Sequence, residues 1–118
     1  MLYQHPAEYP RGIHMDPALC CVNLFGHAYR LTQQEYLLFD QLLSSALKAF
    51  GCGQPVKAMS RGELLRTAWG SASDYETRTV DVHVQRLRAK LGSDVIVTVY
   101  RQGYCLNPAA LGRLARAV

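Results

Sequence analysis

No stretch of this chain approaches the roughly 18 consecutive apolar residues that a membrane-spanning helix needs. The N-terminal run MLYQHPAEYPRGIHMDP sets prolines and acids where a secretory leader would carry an apolar segment. The expected location is therefore the cytoplasm. The four cysteines, Cys20, Cys21, Cys52 and Cys105, form no CxxC pair, and the four histidines, His5, His14, His27 and His83, have no ligand spacing. Free thiols, mainly buried in strands, and no bound metal are what a reducing compartment predicts. Glycine-rich phosphate loops, paired carboxylates in a plausible site and nucleophile elbows are all missing, which argues against an enzyme and against a cofactor. Nothing repeats internally, and no segment is of low complexity.

Acidic residues are scarce in one half only. From Lys57 onwards there are ten Lys and Arg against five Asp and Glu, a net of +5; residues 1–56 hold three against four, a net of −1. The basic half calls for an anionic partner, nucleic acid being the usual one, although a solvated basic face has the same composition. At 118 residues, 49% hydrophobic and 19% charged, the chain makes one soluble folded domain with a single core.

The helix starts are legible. Thr32-Gln-Gln-Glu35 is a capping box with Leu31 and Tyr36 placed as a staple, and Ser60-Arg-Gly-Glu63 repeats it with Met59 and Leu64. Ser73-Asp-Tyr-Glu76 is a third box. The first helix runs from about Gln33 towards Phe50, with an apolar stripe of Tyr36, Phe39, Leu42, Leu43, Ala46, Leu47 and Phe50. The second, Arg61 to Trp69, buries Leu64, Leu65 and Ala68, and Gly70 ends it. The third buries Val80, Val84, Leu87 and Leu91 and stops at Gly92. Beyond it, Val95–Tyr100 and Tyr104–Leu106 read as a hairpin around Arg101-Gln-Gly103. Two more short strands lie around Gly26. Residues 1–12 are an arm that either frays or adds a strand, residues 13–107 the domain, and residues 108–118 a short helical tail.

The outer face of the third helix poses a question. It carries Val82 among Arg78, Gln85, Arg86 and Ala89. In a DNA major groove, arginine bonds guanine edges or phosphates while a small apolar side chain meets a thymine methyl. A tolerated surface valine is the alternative. A helix-turn-helix followed by a basic-tipped hairpin makes an α+β winged helix, with Arg101 in reach of a phosphate or the minor groove.

LTQQEYLLFDQLL, MSRGELLRTAWG, ETRTVDVHVQRLRAKLG and VIVTVYRQGYCL, spanning Leu31 to Leu106 in this order, resemble the C-terminal effector domain of OmpR/PhoB-type response regulators. The resemblance implies an N-terminal antiparallel sheet, three helices, a hairpin wing, and sequence-specific binding of double-stranded DNA as homodimers on direct repeats. It also implies that Thr79, Val82 and Arg86 face bases. By the same resemblance Arg78, His83, Arg88 and Thr98 bond phosphates, as do Trp69 and Tyr104. Other uses stay open: Trp69 as plain core, His83 as a satisfied boundary residue, and Arg88 as a partner for Asp81. Gly70, Ser71, Ala72, Ser73, Asp74 and Tyr75 match the segment that contacts RNA polymerase, or they form a simple linker.

The departures from the family pattern are informative. The receiver domain is missing, so there is no phosphoacceptor to nominate; either the regulator works without phosphorylation or the chain is a fragment. The link SSALKAFGCGQPVKA is several residues longer than the pattern. Gln85 replaces a frequent phosphate-binding arginine. In the wing, RGxGYRL becomes YRQGYCL, so Tyr100 stands at the arginine position and Arg101 follows it. Other readings are a protein-interaction module on the same frame, or a redox-responsive regulator using Cys20-Cys21.

Overall fold

A computed structural model describes residues 12–70 and 75–111. Three short strands, β1 (Ile13–Asp16), β2 (Cys21–Leu24) and β3 (His27–Arg30), form an antiparallel sheet in that order. β1 lies within the expected domain, ahead of the two strands expected around Gly26, and residues 1–11 of the arm lie outside the described residues. Asp16 turns the chain out of β1 by accepting the Ala18 and Leu19 N–H groups at 3.1 and 3.3 Å. Phe25 and Gly26 close β2 onto β3 as a two-residue loop with positive φ at both positions, 53° and 89°. Along β1 and β2 the pleat alternates, putting Ile13, Met15, Val22 and Leu24 into the core.

Three helices follow: α1 (Gln33–Gly51), α2 (Arg61–Trp69) and α3 (Arg78–Leu91). Both expected capping boxes at Thr32 and Ser60 form in full, each hydroxyl accepting the N–H of the glutamate three residues on. The third box does not open its helix. Tyr75 and Glu76 lie outside α3, Ser73 and Asp74 fall beyond the described residues, and Thr77 stands at the N-cap without a side-chain bond. Instead the carbonyls of Glu76 and Thr77 accept Thr79 and Val80 N–H at 2.9 and 3.0 Å, a tight first turn that needs no side-chain cap.

The expected third-helix core is buried as read: Val80, Val84, Leu87 and Leu91. α1 departs from its expected stripe at both ends. It packs against α2, α3 and the last strand, so Leu38, off the stripe, is fully buried along with Glu35 and Asp40. Phe50, in the last turn, is 56% exposed at the rim of an apolar groove shared with Phe25, Leu47 and Leu111. Leu65 is only half-buried.

After α3 comes a hairpin, β4 (Ile96–Val99) and β5 (Gly103–Leu106), joined through Tyr100, Arg101 and Gln102. Met59, just before α2, exchanges two backbone hydrogen bonds with Tyr104, at 2.8 and 3.0 Å, so the hairpin gains a third partial strand at its base. A helical turn over 108–111 buries Ala110 against the core, with Asn107 capping it through the Ala109 N–H at 3.1 Å. The rest of the expected tail helix lies beyond the described residues. Cys21 and Cys105 are half-buried in strands, but Cys20 sits in a turn and Cys52 is exposed after α1.

Candidate nucleic-acid interface

At about 100° per residue, α3 divides into a buried face, an outer face and two flanks. The outer face carries Arg78, Val82, Gln85, Arg86 and Ala89, all exposed, with Val82 at 43%. Beside Val82 a shallow hollow is walled by Tyr75, Glu76, Arg78 and Thr79. Thr79 itself is half-buried. Arginine, a small apolar group and arginine in sequence along one helical face offer hydrogen-bond donors on either side of a methyl-sized contact.

One flank is held by Asp81 and Arg88, seven residues apart. They do not pair with each other. Asp81 Oδ1 accepts the Tyr104 hydroxyl at 2.5 Å and pairs with Arg61 Nε at 2.9 Å. Arg88 donates from Nε and Nη2 to the Ile96 carbonyl at 3.1 and 2.7 Å, and from Nη2 to Thr98 Oγ1 at 2.9 Å. Its guanidinium also lies 5.8 Å from the Tyr104 ring centre. Tyr104 is only 4% exposed, and burial together with the neighbouring Asp81 carboxylate pushes its phenol pKa upward. Its single proton is already given to Asp81. The expected phosphate bond from Tyr104 therefore requires that intramolecular bond to break, and the alternative pairing of Arg88 with Asp81 is not the one that forms.

On the other flank, His83 Nδ1 lies 2.8 Å from the Thr79 carbonyl. A carbonyl only accepts, so Nδ1 carries the proton and Nε2 points away from this bond. The ring meets Trp69 edge-on at 4.9 Å, which explains why both are half-buried. Further along, Lys90 Nζ reaches the buried Glu35 carboxylate at 2.5 Å. Burial alone would push Glu35 up, but the Lys90 bond and charge, with the Thr32 N–H, hold its carboxyl below the usual range.

At the wing tip Tyr100 is 78% exposed, and Arg101 lies 5.1 Å from its ring centre. Arg101 adopts a φ of 61°. This is the position at which RGxGYRL places glycine, so the turn keeps its left-handed residue and arginine carries the strain. Thr98 is exposed, with its hydroxyl oxygen taken by Arg88. Of the loop expected to contact polymerase, Gly70 and Tyr75 are exposed, and Ser71, Ala72, Ser73 and Asp74 fall outside the described residues. Sequence reasoning missed Arg61, Glu35 and Lys90 as supports of α3. Only the helix-start position of Glu35 and Arg61 was readable beforehand.

The profile of the family "Transcriptional regulatory protein, C terminal" matches residues 26–106. The chain belongs to this family, the OmpR/PhoB-type DNA-binding domain with a winged-helix fold. Such domains are not an enzyme class. The response regulator protein PmrA of Pseudomonas aeruginosa is 35% identical over 98 residues, covering 83% of this chain and 40% of that protein. The chain thus spans about two-fifths of that curated relative's length. Among solved structures, the DNA-binding domain of the response regulator AdeR, in complex with an intercistronic region, superposes with a TM-score of 0.63 at 29% identity. That match covers 84% of this chain and 96% of AdeR's domain. The C-terminal DNA-binding domain of RstA from Klebsiella pneumoniae gives 0.62 at 27% identity, covering 92% and 94%. Among the described residues no helix is long and apolar enough to cross a membrane, and no cluster of His, Cys, Asp or Glu is arranged for a metal ion.

Proposed function

We propose that this OmpR/PhoB-type domain regulates transcription by reading duplex DNA with α3 in the major groove. Thr79, Val82 and Arg86 meet base edges; Trp69, Arg78, His83, Gln85 and Thr98 hold the backbone; Tyr100 and Arg101 of the wing reach the adjacent backbone or minor groove. Arg88 and Tyr104 serve from inside, through the bonds already described. The observation that carries this reading is the exposed Val82 between Arg78 and Arg86, on a helix whose opposite face is fully buried. Two copies bind a direct repeat, and the segment Gly70–Tyr75 contacts RNA polymerase. In this reading the domain binds DNA without phosphorylation of its own residues.

Selection of duplexes from a random pool by the purified protein tests the reading. Wild type enriches a short motif, repeated in tandem, and Arg86→Ala loses preference at one or two positions, about 1–3 kcal/mol each. Arg78→Ala weakens every duplex alike and lowers the salt slope by about one. A wild type that enriches nothing, with binding that merely fades with salt, refutes sequence reading.

A further inference from the structure

An acidic residue in the first half of a DNA-reading helix raises a question of sign. Phosphates repel it, and its exposed ion pair adds little stability: Asp81 and Arg61 side chains are 30% and 53% exposed. Yet three elements meet at Asp81 Oδ1: α3 itself, Arg61 in the first turn of α2, and Tyr104 of β5. Both bonds to it are short and charge-assisted. One turn-pair further along the same flank, Arg88 fastens α3 to β4 through the Ile96 carbonyl and Thr98. We propose that Asp81 is a positioning residue for sequence recognition, fixing the roll of α3 about its own axis relative to the wing, and that this outweighs its repulsion of DNA. The role rests on the sequence-reading function proposed above.

The geometry explains why roll matters. Val82 and Arg86 on the outer face and Thr79 at its edge lie within two turns of Asp81, and base readout depends on the direction in which each side chain leaves the helix. The opposite flank is tied by Lys90 to Glu35 and by the His83–Trp69 contact. With Asp81 released, α3 stays attached along that flank and through Arg88, but its N-terminal half loses the bonds to Tyr104 and Arg61.

The test compares wild type, Asp81→Ala, Asp81→Asn and Tyr104→Phe, measuring affinity for the selected duplex and for a scrambled one at fixed salt, with thermal melting of each protein. Removing a carboxylate near DNA should tighten the scrambled duplex or leave it unchanged. The selected duplex should weaken roughly tenfold, the size of one lost base contact. The asparagine variant keeps an acceptor oxygen and recovers part of the preference. Tyr104→Phe alters no charge and lowers preference as well. Equal tightening of both duplexes by Asp81→Ala would make Asp81 a plain repulsive charge and overturn the proposal. Equal weakening, with the preference of Tyr104→Phe intact, would reduce Asp81 to a fold residue and overturn it too. A wild type that does not distinguish the duplexes fails at an earlier step and removes the function itself.

Discussion

Gly103→Ala should unseat the wing. A methyl group added there would stand 2.0 Å from the Met59 carbonyl oxygen and 2.9 Å from Ser60 Cα, both backbone atoms that cannot swing aside. The residue also has a φ of 136°, outside the range L side chains favour. The left-handed conformation costs about 1 kcal/mol or more. Separating the strands to ordinary contact breaks the two Met59–Tyr104 hydrogen bonds, at about 1 kcal/mol each. The total of about 3 kcal/mol corresponds to a melting temperature roughly 12 °C lower for a domain of this size. Two companion variants separate the contributions. Gly26→Ala has a φ of 89° but nothing within 4 Å of the new methyl, so it loses about 1 kcal/mol, or roughly 4 °C. Gly51→Ala, at the end of α1 in open space, is neutral or slightly stabilising. Circular dichroism melts of the three proteins decide the matter. If Gly103→Ala and Gly26→Ala fall equally, the close approach of wing and α2 plays no part.

Other outcomes follow from the buried groups. Because the Glu35 carboxyl is held below its ordinary value of 4.5, it adds stability above that pH and loses it as pH falls through the folded value. The acid limb of a denaturation-versus-pH curve should therefore be steeper for wild type than for Glu35→Gln. Lys90→Ala strands a buried carboxylate and should cost about 2 kcal/mol at neutral pH in urea unfolding. Phe39→Ala should cost about 3–5 kcal/mol by the same assay, whereas Phe50→Ala, on the exposed last turn of α1, should stay below about 1 kcal/mol.

What could be read beforehand was what depends on near neighbours in the chain. The boxes at Thr32 and Ser60 each close within four residues, and the stripe from Val80 to Leu91 needs only helical periodicity, so these features were legible. So was the exposed Val82, which is the complement of that stripe. The box at Ser73 misled because an N-cap hydroxyl is useful only if the chain turns helical at once, and here the helix waits until Arg78. Leu38 and Glu35 are buried by packing on a second side of α1, which periodicity in α1 alone cannot reveal. The bonds of Arg88 were not legible because its partners, Ile96 and Thr98, come close only after the chain has reversed beyond Gly92. The bond from Tyr104 to Asp81 spans 23 residues and joins two elements that sequence spacing does not relate.

In the reading proposed above, α3, tied along both flanks, is a stiff gauge. It has little freedom to tilt or slide to suit a groove of another width, so the adjustment falls to the duplex. Base pairs that this protein never touches would then matter through the ease with which they bend or narrow, and flexible pyrimidine–purine steps beside the contacted bases would be favoured. The rigidity of the reader would appear as sequence preference in the unread part of the site.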